Sequence, residues 1–198
     1  MSTQIYIFFV ENRISAQSVT FSDNLLDKEK IHDLILKSLL GLQASKSLYR
    51  ASRCHWANKP ASVVVLFPKV QCSKDLPPVI VIAENTINAD FMEDLIKYCL
   101  SLHEEYKISP YVLIFLTGGF SDEEIKSKFK VENNSFMMEA NCSFWSDNCY
   151  VLCKESIAGF VNEYPMQEFI ALAYCIVDTE NSLYSDDPIV KYFVNLGK

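Results

Sequence analysis

Residues 76–119 read LPPVIVIAENTINADFMEDLIKYCLSLHEEYKISPYVLIFLTGG, and the fold class turns on them. They hold two apolar runs, Val79-Ile80-Val81-Ile82-Ala83 and Tyr111 to Leu116. Neither run alternates with polar residues, the pattern of strands buried on both faces. Between them Phe91, Met92, Leu95, Ile96, Cys99 and Leu102 recur at helical spacing. Asp90, Glu93, Asp94, Lys97, Ser101, Glu104 and Glu105 occupy the opposite side, so an amphipathic helix is predicted over 89–106. A strand, a long helix and a second strand in that order imply a right-handed crossover and a parallel pair. Thr117-Gly118-Gly119 is expected to end the second strand, and Glu84-Asn85 reads equally as the solvated end of the first.

Upstream, Val63 to Phe67 is a further apolar run, stopped by Pro68. The polar connection Gln71 to Asp75 is short enough for a hairpin, so this strand and the one at 79–83 are expected to be antiparallel. Residues 47–56, with Leu48, Tyr49 and Trp56, form another candidate strand. Before it, Ile31, Leu34, Ile35, Leu39 and Leu42 predict a helix over about 25–42, with Ser22-Asp23-Asn24 as capping candidates and Gly41 at its end. Residues 4–10 read as a strand, with 18–21 returning beside it.

Downstream, Ser121 with Glu124 has the spacing of a capping box, and 149–153 is a candidate strand. Pro165 is placed at the start of an almost wholly apolar helix containing Phe169, Ile170, Leu172, Ile176 and Val177. Asp187-Pro188 offers an N-cap followed by proline at the first helical position. The expected fold is α/β: a central mixed β-sheet flanked by helices, in one domain over 1–198. Its core is expected at about 22–120, with a mainly helical C-terminal part over about 121–198.

The chain has 198 residues and a net charge of −7, with 25 acidic against 18 basic side chains. That balance disfavours nucleic acid as a partner, because phosphate neutralisation needs a surplus of Lys and Arg. The densest basic cluster, Lys126, Lys128 and Lys130, alternates with other residues in the manner of a solvated surface. No apolar run approaches the ~18 residues of a membrane span, and the opening has no basic leader segment, so no membrane partner is expected. Seven cysteines, an odd number, read as reduced thiols in an intracellular protein, nuclear or cytoplasmic. Cys142, Cys149 and Cys153 lack the paired spacing of a zinc site and read as small buried apolar groups. Cys54-His55 with Cys72 leaves a mixed site open. His32 and His103, on helices among charged neighbours, are expected to face solvent.

The order helix, three strands, helix, strand resembles the core of the PD-(D/E)XK nuclease-like superfamily, a restriction-endonuclease-like core. Residues 76–119 are similar, more specifically, to its transposase-associated branch, the Rpn/YhgA-like nucleases and their fungal relatives. In that branch an apolar strand ends in an acid-x-Gln motif, and a helix then opens with Phe-Met, as Phe91-Met92 does here. The tail, with Cys142 to Trp145, Cys149 to Cys153 and Asp187-Pro188-Ile189, resembles fungal members after the core.

The resemblance implies metal-assisted phosphodiester hydrolysis, in which strand acids hold Mg²⁺ and a neighbouring Lys or Gln positions water. Aligned on Phe91-Met92, however, the family acid falls at Ile82 and the family Gln at Glu84. The second-strand Asp falls near Ala61 or Ser62, and the helix Arg at Asp94. The family Tyr is kept, at Tyr98. Glu84, two residues beyond Ile82, shares its strand face and is a candidate migrated ligand. Asp75, ahead of the same strand, is the other. Glu84 and Tyr98 are therefore the candidate catalytic residues, and Glu84 and Asp75 the candidate metal ligands. The expected function is a degenerate, inactive nuclease-like domain that binds a protein partner or a second copy of itself, without a cofactor. The alternative is a weakly active Mg²⁺-dependent DNA endonuclease of a transposon-related family.

Overall fold

The structure is a computed structural model that describes residues 21–41, 46–53, 62–131 and 135–198. Its strands are β1 (Tyr49–Arg53), β2 (Ser62–Pro68), β3 (Val79–Ile87), β4 (Tyr111–Phe120), β5 (Phe129–Val131), β6 (Met138–Ala140) and β7 (Asn148–Cys153). They form one seven-stranded sheet in the order β1-β2-β3-β4-β7-β6-β5. β1, β2 and β3 pair antiparallel, β3 with β4 and β4 with β7 parallel, and β7, β6 and β5 antiparallel again. The fold is thus α/β with a mixed sheet, as the sequence implies.

The helices are α1 (Phe21–Leu26), α2 (Glu29–Leu40), α3 (Ala89–Tyr106), α4 (Glu123–Lys126), α5 (Lys154–Ile157), α6 (Glu168–Val177), α7 (Thr179–Ser182) and α8 (Pro188–Gly197). α3 supplies the crossover between β3 and β4 over the residues expected. Asn88 caps it, its side chain accepting from the Phe91 N–H at 2.8 Å. Lys107 closes it in the left-handed conformation, with φ 60°. The register then sets Val79 beside Tyr111 and Ile82 beside Ile114.

Alternate residues of β2, β3 and β4 enter two separate cores. Val63, Val65, Ile80, Ile82, Val112 and Ile114 pack with Phe91, Leu95, Cys99 and Leu102 of α3. Val64, Leu66, Val79, Val81, Leu113 and Phe115 pack on the other face with α1, α2, α6 and α8. A side chain such as Leu113 or Ile114, removed from water, contributes roughly 1.5–3 kcal/mol. α6 is buried on nearly every side, which explains its lack of a polar face.

Several expectations are corrected by the fold. The single helix over 25–42 is two helices broken at Asp27-Lys28, and Ser22-Asp23-Asn24 lies inside α1 instead of capping it. Asn24 uses its amide to reach the Gly197 carbonyl at 3.1 Å, tying α1 to α8. Gly41 does end α2, at φ 84°. His32 is buried, not exposed, and its Nε2 lies 2.6 Å from the Leu26 carbonyl, so the proton sits on Nε2 and spans the break. His103 is exposed as expected. Asp122, not Ser121, caps α4. α6 begins at Glu168, after the cis Tyr164-Pro165 bond, instead of at Pro165. The helical C-terminal part starts at Lys154, because residues 129–153 add three strands to the sheet. The expected strand at 4–10, its return at 18–20, Trp56, and the Cys54-His55 pair lie outside the described residues.

Asp187 anchors the C-terminal helices. It is buried, and Oδ1 accepts from the N–H groups of Ile189 (2.8 Å) and Val190 (3.1 Å). Oδ2 accepts from the Met166 N–H at 2.8 Å, which fastens the segment before α6 to the start of α8. Burial alone pushes this carboxyl up, but the donors from Met166, Val190 and Ile189 outweigh it and hold it below its ordinary value. Asp187→Ala removes a cap and strands a buried donor, so it should cost about 2–3 kcal/mol in urea unfolding. Because the folded carboxyl titrates lower than the unfolded one, its contribution is complete above the ordinary carboxylate range. It fades as pH falls through the depressed folded value. Asp187→Asn should flatten that acid limb of the stability profile; an unchanged limb would assign it to other carboxylates.

Candidate functional site

The resemblance directs attention to the C-terminal end of β3. Glu84 pairs in register with Leu116, but Thr86 pairs with Gly119, so two steps along β3 match three along β4. The extra residue makes a bulge that sets Asn85 against Thr117 and Gly118. β3 therefore runs on through Glu84 and Asn85 to Ile87, and β4 runs on through Thr117, Gly118 and Gly119 to Phe120. Both strands thus outlast the apolar runs that mark them in sequence. The polar residues continue the ladder because the bulge groups find local partners. The Thr117 hydroxyl donates to the Glu84 carbonyl at 3.3 Å. The Asn85 N–H donates to Glu84 Oε1 at 2.8 Å, with the Thr86 N–H at 3.4 Å from the same oxygen. Glu84 thus turns its carboxylate back onto its own backbone.

The other predicted site residues do not join it. Asp75 is exposed in the connection ahead of β3, and Val79 to Glu84 alone spans roughly 16 Å of strand. Tyr98 is half-buried at the margin of the α3-side core, about 14 Å along the helix from Ala89. Ile82, where the resemblance would place an acid, is fully buried in that core. Of Ala61 and Ser62, near which the resemblance would place a second-strand acid, Ser62 opens β2 opposite Ala83 and Ala61 lies outside the described residues. Mg²⁺ takes an octahedral set of oxygens and holds its waters tightly. With an isoleucine and a serine where the resemblance expects acids, and Asp75 far off, Glu84 is left without a second carboxylate from the predicted set, and these residues do not fit that donor set. Among the described residues no group of three or more His, Cys, Asp or Glu is placed to hold a metal ion.

The basic and thiol clusters also have plain explanations. Lys126 pairs with Glu155 at 2.8 Å and Lys128 with Glu124 at 3.6 Å, so two of the three cations in that cluster are offset locally. Cys99, Cys142 and Cys149 are buried in the α3-side core, and burial pushes each thiol up. Neutral buried thiols pack as small apolar groups. No described helix is long and apolar enough to cross a membrane.

A cleft at the opposite end of β3 has no counterpart among the sequence motifs. α3 covers β2, β3 and β4, but no residue of the edge strand β1 belongs to the core beneath it. Among the described residues, the strip between β1 and the C-terminal end of α3 is left as a cleft of about 540 Å³. Arg50, Phe67, Lys69, Cys72, Glu105 and Tyr106 are among its walls. Arg50 lies opposite Phe67 across the β1–β2 ladder, and directly opposed residues share a sheet face. The Phe67 and Tyr106 rings pack with centroids 5.4 Å apart, tilted by 41°. Burial first, and then the neighbouring Glu105 carboxylate, pushes Tyr106 up. Cys72 is likewise pushed up, chiefly by burial and further by Glu105, so its thiol is neutral near pH 7. The cleft draws one residue from β1, several from the β2 end and two from α3, a grouping that no sequence spacing signals.

The bulge makes a sharp prediction. A Cβ at Gly118 would overlap the Asn85 carbonyl oxygen and lie 2.7 Å from Asn85 Oδ1, whereas a Cβ at Gly119 meets nothing within 4 Å. Gly118→Ala should lose about 1–3 kcal/mol in chemical unfolding, and Gly119→Ala should lose none. Equal effects at both positions would contradict the bulge geometry. Protein-family models, curated proteins and solved structures give no match to the chain, and its function rests on the geometry of its own residues.

Proposed function

We propose that this chain is a nuclease-like α/β scaffold whose metal site has been dismantled, and that it acts by binding instead of by hydrolysis. The observation that carries the reading is the buried Ile82 where the resemblance expects an acid, next to a Glu84 whose Oε1 accepts from the Asn85 and Thr86 N–H groups. The nuclease-like part is supported by the element order: α2, then β1, β2 and β3, then α3, then β4, with β3 and β4 parallel. The partner proposed is another protein or a second copy of this chain. DNA is disfavoured by the net charge of −7 and by the pairing of Lys126 and Lys128 with local acids.

Titration calorimetry with Mg²⁺ and Mn²⁺, run beside a plasmid-cleavage assay, tests the reading. The expected result is no saturable cation binding and no cleavage, for both the natural chain and Glu84→Gln. That variant keeps an acceptor oxygen for the backbone donors and should lose less than about 1 kcal/mol of stability. Cation-dependent cleavage that Glu84→Gln abolishes would establish the endonuclease alternative instead.

A further inference from the structure

The cleft between β1 and the end of α3 has the composition of a ligand site. It lies at the far end of β3 from Glu84, so a ligand bound there requires neither nuclease ancestry nor its loss. Its volume of about 540 Å³ falls within the range of small-molecule pockets, roughly 300–1,000 Å³. One side is aromatic and apolar, formed by Phe67, Tyr106 and Pro68. The other carries charge: two cations, Arg50 and Lys69, against one carboxylate, Glu105. That local surplus of positive charge stands on a chain whose net charge is −7. The Arg50 guanidinium has its five donors in a planar fork that suits a carboxylate or a phosphate.

We propose that this cleft binds a small aromatic anion, a flat ring that lies along Phe67 and Tyr106 and bears a carboxylate or phosphate that meets Arg50 and Lys69. A ring without charge leaves the guanidinium unanswered, and an anion without a ring leaves the aromatic wall in water. Both parts are needed for useful affinity, since a lone surface charge pair contributes little. The anionic ring comes from one of two sources, a mononucleotide or an aromatic carboxylic acid, which share this chemistry.

Cys72 provides a reporter inside the cleft. Among the described cysteines it alone is not buried; Cys99, Cys142, Cys149, Cys153 and Cys175 are. The full chain is titrated with adenosine monophosphate and, separately, with 2-naphthoate, while N-ethylmaleimide labelling of Cys72 is followed by peptide mass mapping. At least one probe should saturate and slow Cys72 labelling, and the arm that does so identifies the source. Inorganic phosphate and uncharged adenosine should bind about tenfold more weakly or worse. Arg50→Ala and Lys69→Gln, both on exposed residues, should each weaken the effective probe, Arg50→Ala by about tenfold or more. Tyr106→Leu should weaken it by a similar factor. Thermal melts of each variant establish that it is folded. Three outcomes overturn the proposal: no saturation by either probe up to roughly 5 mM, phosphate alone as effective as the nucleotide, or full binding by both folded Arg50→Ala and folded Lys69→Gln. Metal-dependent cleavage with intact probe binding would fail the nuclease-like binding reading and leave this one standing.

Discussion

Two neighbouring parallel strands cannot be joined by a turn; the chain must travel back along the sheet before the second strand can begin. Here α3 makes that journey, and the β3–β4 pair it closes carries the rest of the molecule. Its eighteen residues return the chain from Ile87 to the level of Val79, where Tyr111 pairs. Because α3 lies on one face, the other face of the same strands is left to α1, α2, α6 and α8, and two cores form back to back. β7 then adds in parallel to β4 under the same α3-side cover, with Val151 and Cys149 facing α3 and Leu152 facing α6.

At the end of that pair the chemistry changes from apolar to polar without ending the ladder. At the bulge of Asn85, Thr117 and Gly118 the strands continue, and the Asn85 N–H and the Glu84 carbonyl each meet a nearby side chain. Gly118 is required there by close approach, not by an unusual torsion angle, since its missing Cβ makes room for the Asn85 carbonyl. Glu84 belongs to this arrangement. A carboxylate at a strand end is read from sequence as a ligand or a solvated charge. Folded back over two N–H groups, it serves the backbone of the bulge itself.

The opposite end of the sheet shows what happens where cover is incomplete. Among the described residues β1 is an edge strand joined only through β2, and the helix that shields β2 stops at Tyr106. An edge without a lid exposes both backbone and side chains to solvent, so charged residues suit it. Arg50 fits that rule and at the same time shares the cleft's lining with Phe67 and Tyr106. A site of this kind needs no motif; it arises from the difference between a wide sheet and a narrower helix layer.

Much of the architecture is written in local patterns. The unbroken runs at 63–67, 79–83 and 111–116 identify buried strands, because only a strand covered on both faces can be apolar at every position. The amphipathic stripe of α3 and the Asp187-Pro188 cap of α8 are likewise properties of adjacent residues. β5 and β6 are only three residues each and carry too little periodicity to be seen. Other features depend on residues distant in the chain. His32 is buried because the chain breaks at Asp27-Lys28 and brings the Leu26 carbonyl to it, which no helical spacing announces. Glu84 and Asp75 look like partners in sequence, yet they are separated by the length of an extended strand. Arg50, Cys72 and Tyr106 meet because β1, the β2–β3 connection and α3 converge at one edge. Burial pattern is encoded residue by residue, whereas which side chains face one another across a gap is set by how whole elements pack.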